Sequence, residues 1–280
     1  MGAMTFEELA ASGEDLDVAL GAALLAKDVY GSLDVPRLLA RFDDLAAPLA
    51  TAGLQNASAR VVAETISQHL YGTLGFAGNE TDYYDPRNSL LPDVLDRRRG
   101  IPISLALVYC EVARRAGVRA DGVSFPGHFL VRVFSGNDEV LVDPFFGGSV
   151  LDDVALRALL ERVAGQAGAR GGRTHQVTPE MLVRASGRVF LSRWLMNLRG
   201  IYLSRGDLSR SLLVVDRLVS LAPHDKALVR DRGMLAARLG ANAAAREDLA
   251  RALEMDPSSE SAAELRVTLE QLDQKPHAVN

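Results

Sequence analysis

The chain has 280 residues, 48% of them hydrophobic and 24% charged, with a formal net charge of −5. This is an ordinary globular balance, long enough for one large domain or two smaller ones. It lacks the clustered positive charge that a phosphate backbone requires, so nucleic acid is not an expected partner. One cysteine, Cys110, excludes an intrachain disulfide and a Cys-rich zinc site, and fits a reducing compartment.

Residues 5–78 read as helices. Leu16, Leu20, Ala23 and Leu24 fall at helical spacing, and Asp34 before Pro36 supplies a cap and a first-turn proline. A third helix is predicted over about residues 57–74. Asn79 to Pro86 is loop-like and carries the paired Tyr83 and Tyr84. A short helix follows over residues 89–99. Gly100-Ile101-Pro102 then opens a long apolar helix that Gly117 closes. His128 to Val133 and Glu139 to Asp143 read as two strands around a turn at Ser135-Gly136-Asn137-Asp138. Another helix is predicted over 151–162, and Gly165, Gly168, Gly171 and Gly172 mark a linker. The expected organisation is therefore a core with N-terminal helices over 5–162, a Gly-rich linker over 163–178 and a helical domain over 179–275.

The last hundred residues repeat. Gly206 and Gly240 lie 34 residues apart, as do Pro223 and Pro257. The same offset relates Ser211 to Ala245, Leu218 to Ala252 and Leu221 to Met255. A period of about 34 residues is the tetratricopeptide signature, with glycine between the two helices and proline after the second. Residues 195–257 hold two units, and 261–272 reads as a capping helix. Tetratricopeptide surfaces make a protein or peptide partner the expectation. Neither metal nor other cofactor is expected, because the five histidines show no ligand spacing. No apolar run approaches the roughly 20 residues of a membrane span, and no basic segment leads into an apolar one at the start. No membrane partner is expected, and the cytoplasm is the expected location.

The chemistry-bearing residues cluster between 97 and 143. A turn at 135–138 pairs Phe134 with Glu139, which sets Asp143 diagonal to His128 on one sheet face. The order is a helix beginning at Pro102, then His128 near a strand start, then Asp143 at the end of the next strand. In cysteine-nucleophile folds a helix N-terminus favours the thiolate, histidine acts as base, and a carboxylate orients the imidazole.

The segments Asp85-Pro86-Arg87-Asn88-Ser89, Arg97 through Leu105, Phe125-Pro126-Gly127-His128-Phe129-Leu130 and Asp143-Pro144-Phe145 closely resemble the SirB-type transglutaminase-like family. The order of helices, core and repeats resembles it over nearly the whole chain. The resemblance implies an α+β fold: a degenerate transglutaminase-like (papain-like) core with N-terminal helices, followed by an all-α tetratricopeptide segment. Active cores show Gly-x-Cys-x-x-x-Ala, with the closing glycine 15 residues after the cysteine. Gly100, Ala106 and Gly117 fit that pattern and place Pro102 in the cysteine slot, with His128 and Asp143 at the other two triad positions.

Proline cannot act as nucleophile. Ser104, the alternative, lies two residues on, roughly 200° around the helix, and is expected to bond backbone instead. Cys110 is expected to be a buried helix residue. Arg97 to Arg99 can hold an anion near the helix start or pair with carboxylates. Two functions follow: a non-catalytic interaction scaffold working through its repeats and residual cleft, or a hydrolase or acyl transferase using the His128–Asp143 pair with a shifted nucleophile.

Overall fold

The structure is a computed structural model that describes residues 4–166 and 176–274. It divides into two units, Ser12–Trp194 and a second made of Met1–Ala11 with Leu195–Asn280. Helix α1 (Phe6–Ala11) thus belongs with the C-terminal part.

Unit Ser12–Trp194 begins with α2 (Val18–Tyr30) and α3 (Val35–Ala46). Their N-caps, Asp17 and Asp34, accept from the backbone N–H groups of Leu20 and Arg37. The predicted third helix is split. Helix α4 (Ala59–Ser67), capped by Ser58, gives way to a π-helical stretch, Gln68–Thr73. Strand β1 (Ala77–Gly78) then pairs in parallel with β2 (Arg99–Gly100), which follows α5 (Leu91–Arg97). The 89–99 helix is therefore shorter than its sequence predicts, because its last residues join this ladder.

Helix α6 (Pro102–Arg115) is the axis of the unit. Leu105, Leu107, Val108, Val112 and Ala113 are each at most 1% exposed, so most of this helix lies inside the protein, and only its last turns carry polar groups, Glu111, Arg114 and Arg115, toward the surface. Each large aliphatic side chain contributes roughly 1.5–3 kcal/mol on burial. Tyr109 is buried with its hydroxyl donating to the Ala63 carbonyl at 3.0 Å. Gly117 ends the helix at φ 76°, a backbone setting that costs glycine nothing.

Strands β3 (Ala120–Val123), β4 (Leu130–Ser135), β5 (Asp138–Asp143) and β6 (Ser149–Leu151) form one antiparallel sheet in that order. Phe134 stands opposite Glu139, the register the turn predicts. Helix α6 packs on β3 and β4, and α4 packs on β4, β5 and β6. Helix α7 (Asp153–Gln166) runs four residues past its predicted end, so residues 163–166 of the expected linker are helical. Residues 167–175 of that linker lie outside the described residues. A 3₁₀ turn at Pro179–Leu182 follows, then α8 (Gly187–Ser204), within which the division between units falls. Trp194 is fully buried and donates from its indole nitrogen to the Ser89 carbonyl at 2.9 Å.

The other unit holds α9 (Leu208–Leu221), α10 (Lys226–Arg238), α11 (Asn242–Met255) and α12 (Ala262–Gln274). Gly206 and Gly240 sit between helices at φ 71° and 80°. Ser211 and Ala245, one period apart, are both fully buried, as the close approach of paired helices requires. Gly233 serves the same approach: an added Cβ there would stand 2.8 Å from Leu249 Cδ2. Arg232 is clamped between two carboxylates. Its Nε and Nη2 donate to Asp248 at 2.7 Å, and its Nη1 donates to Asp216 at 2.7 Å. Asp248 is only 5% exposed, so this bidentate pair holds a charge out of water.

Candidate functional site

The start of α6 is built from backbone geometry that the sequence imposes. Ile101 is the N-cap and Pro102 the first helical residue, where its missing N–H leaves no orphan donor. Ser104 turns back on this start. Its hydroxyl accepts from the Ile101 N–H at 2.9 Å and lies 2.7 Å from the Asn88 carbonyl, to which it donates. Gly100 keeps the room for this arrangement, since a Cβ there would lie 2.5 Å from Ser104 Oγ. Ser104 is therefore a fully buried structural hydroxyl engaged on both sides.

Strand β4 begins at Leu130 and not at the predicted His128, whose N–H bonds back to the Phe125 carbonyl in the turn before the strand; from there His128 meets Asp143 at the end of β5. The imidazole Nε2 lies 2.9 Å from both carboxylate oxygens of Asp143. Asp143 is 2% exposed and His128 7%. The same carboxylate accepts from the backbone N–H groups of Phe145 at 3.0 Å and Phe146 at 3.3 Å, which fixes the turn beyond β5. Gly127 precedes the histidine at φ 61°, with Val163 so close that any Cβ would collide at 2.1 Å. A proton on Nε2, donated to the carboxylate, leaves Nδ1 as the acceptor nitrogen. Nδ1 makes no hydrogen bond among the described residues.

Pro102 and His128 line one cleft of about 660 Å³ together with Glu80, Tyr83, Tyr84, Phe145, Phe146 and Arg162. Tyr83 and Tyr84 meet edge to face at 5.3 Å, and Phe146 stacks on the His128 ring with centroids 6.2 Å apart. The Arg162 guanidinium covers Phe146 at 4.6 Å. Burial pushes the Tyr83 hydroxyl above its ordinary value, reinforced by Tyr84 and opposed by Arg193. Sequence reasoning picked out Pro102, His128, Asp143 and the tyrosines, but not Glu80, Phe146 or Arg162. Phe146 was signalled by the aromatic pair directly after Asp143-Pro144. Arg162 carried no signal beyond sharing α7 with the buried Leu159.

The arginine run binds protein groups. Arg97 pairs with Asp85 at 3.3 Å, while Arg98 and Arg99 donate to the carbonyls of Leu74 and Gly75 that end the π-helical stretch. Asp85 is itself buried. Burial alone would raise its carboxyl, but the Arg87 side-chain and backbone hydrogen bonds, together with the Arg87 and Arg97 charges, hold it below the ordinary value.

Cys110 departs from expectation in one respect. It is half-buried rather than buried, because its side of α6 faces a second cavity of about 580 Å³ beside Asp15, Glu111 and Asp121. Its thiol is pushed well up by burial of its surroundings and by the Glu111 and Asp121 charges, the reverse of what a nucleophile needs. No cluster of three or more metal-ligating side chains occurs among the described residues. No helix among them is long and apolar enough to cross a membrane.

This fold and site define a transglutaminase-like core followed by tetratricopeptide repeats. The family profile described as Transglutaminase-like superfamily matches residues 36–196, and that of the Tetratricopeptide repeat matches 198–270. The chain belongs to the transglutaminase-like superfamily, in its SirB-type branch with C-terminal repeats. A UPF0162 protein of Xylella fastidiosa (strain 9a5c) is 42% identical over 194 residues, 69% of this chain and 68% of that one. F-box only protein 21 of Mus musculus is 45% identical over 84 residues, 30% of this chain and 13% of that protein. Among solved structures, a crystal structure of menin aligns at a TM-score of 0.43 and 12% identity, covering 96% of this chain and 70% of the other.

Proposed function

We propose that this protein is a non-catalytic, cytoplasmic transglutaminase-like scaffold that binds a protein or peptide partner through its repeats and residual cleft. The observation that carries the reading is Pro102 at the first position of α6, in the cleft that also holds His128. A cysteine fold acts through a thiolate at that position, and proline has no group that can attack a carbonyl. The remaining candidates fail on geometry: Ser104 is buried and engaged by backbone, and Cys110 lines a different cavity.

One feature favours a second reading, a hydrolase that activates water. The Asp143-oriented imidazole presents Nδ1 free of hydrogen bonds among the described residues, as a general base does. The test is acyl transfer and hydrolysis on glutamine-containing and ester substrates by the unmodified protein. The scaffold reading expects no turnover above buffer. Turnover lost on His128→Ala or Ser104→Ala, in a protein that stays folded, replaces it with the enzyme.

A further inference from the structure

The cleft beside Pro102 is walled by a continuous ledge of rings. Tyr83 meets Tyr84 at 5.3 Å between centroids and Phe145 at 5.9 Å, and Phe145 meets Phe146 at 5.1 Å. At these separations neighbouring rings touch, which leaves no gap between them to box in a cation. The guanidinium over Phe146 is the protein's own, that of Arg162, and it sets a positive charge where a cationic head would sit. The ledge is not flat either. Successive ring planes turn by 74°, 67° and 86°, so no single face is offered on which a sugar or a base could stack. Furrows between rings at such angles suit the compact, rigid rings of proline. Tyr84 and Phe146, the two ends of the ledge, are 67% and 39% exposed and so are open to a ligand.

The polar groups agree. Among the described residues the hydroxyls of Tyr83 and Tyr84 and the Arg162 guanidinium make no hydrogen bond to the protein. A polyproline II segment offers the complement: its carbonyls are free of internal hydrogen bonds, and each proline removes an N–H that would need an acceptor. Glu80, exposed on the same cleft, is in no ion pair among the described residues, on a chain of net charge −5. It selects a basic residue at the end of such a segment.

We propose that this cleft binds a proline-rich segment of a partner protein, in polyproline II conformation and flanked by lysine or arginine. Prolines lie in the furrows of the ledge, the tyrosine hydroxyls and Arg162 donate to the segment's carbonyls, and Glu80 pairs with the basic flank. This names the partner's chemistry for the residual cleft, and it rests on the reading of that cleft as a binding surface. The two fail separately: turnover in the assays above overturns the scaffold, whereas the experiment here reads binding alone.

The test titrates the full chain into a fluorescein-labelled peptide of about eight prolines with arginine at each end, followed by fluorescence anisotropy. Saturable binding is expected, at least about tenfold tighter than to a glycine–serine peptide of the same length and ends. Tyr84→Ala is expected to weaken it about tenfold, and Phe146→Ala likewise. Glu80→Arg is expected to make a glutamate-ended proline peptide bind better than the arginine-ended one, the reverse of the unmodified chain. No saturable binding, equal affinity for the glycine–serine peptide, binding indifferent to Tyr84→Ala, or an end-charge preference unmoved by Glu80→Arg overturns the proposal. So does tighter binding of a peptide carrying trimethyllysine, which would make the ledge a cation cage. Should Phe146→Ala not fold, the Tyr84 and Glu80 variants, both at exposed positions, decide the matter.

Discussion

Ser104→Ala isolates the joint that places Pro102. The hydroxyl is fully buried, accepts from Ile101 N–H at 2.9 Å and donates to the Asn88 carbonyl at 2.7 Å. Ile101 and Asn88 are themselves at most 1% exposed, so neither group finds water when the hydroxyl is removed. Each orphaned buried group costs about 1–3 kcal/mol, and allowing for partial relaxation the variant is expected to lose roughly 2–4 kcal/mol. For a protein of this size that corresponds to a fall in Tm of about 3–7 °C. Thermal denaturation followed by circular dichroism reads it. Glu64→Ala serves as the surface control, since it breaks only an exposed pair with Arg60 and is expected to change stability by less than about 0.5 kcal/mol. A Ser104→Ala protein melting within about 1 °C of wild type would refute the structural role and reopen Ser104 as a chemical group.

Pro102→Cys places a thiol at the first turn of α6 in the His128 cleft. Its alkylation by iodoacetamide at neutral pH is expected to exceed that of Cys110 by about tenfold or more and to fall on His128→Ala. Equal labelling of the two cysteines would show that the slot is misassigned. Arg232→Met leaves Asp248 buried without its partner and is expected to cost about 3–5 kcal/mol, largely recovered by adding Asp248→Asn; a loss that the second substitution does not relieve would contradict the clamp. The Asp85 carboxyl titrates below its unfolded value, so its stabilisation is full above about pH 4 and is lost as the pH falls through the folded value. Asp85→Asn is accordingly expected to lower the urea midpoint at neutral pH and to flatten the acid limb, and an unchanged acid slope would exclude this group as a contributor.

Local rules carried much of this architecture. Proline at a first helical position, glycine after the last turn and a four-residue hairpin turn each act over a few residues. They fixed the start of α6, its end at Gly117 and the pairing of Phe134 with Glu139. The 34-residue period marked the breaks at Gly206 and Gly240 for the same reason. The basis of the second glycine is conformational, though: nothing lies within 4 Å of an added Cβ, so a β-branched residue there would meet backbone strain and not crowding. What stayed hidden depends on distant partners. The π-helical stretch Gln68–Thr73 meets Arg98 and Arg99 from across the chain, and Trp194 finds its acceptor 105 residues away. Of the cleft, the histidine and aspartate were readable because the β4–β5 hairpin ends in Asp143 and is entered from the turn that carries His128. Arg162 comes from a helix whose approach no local pattern encodes.

The pairing of α1 with α9 also sets a timetable for synthesis. Glu7 is made before Arg217, the α9 residue it pairs with, which follows 210 residues later. At about 5–20 residues per second that interval is roughly 10–40 s. Throughout it Phe6 and Leu9 have no α9 to bury against, on a segment too short to stay helical unaided. The nascent chain therefore carries this apolar segment past the completion of α6 and its sheet, and only the synthesis of α9 gives it its place.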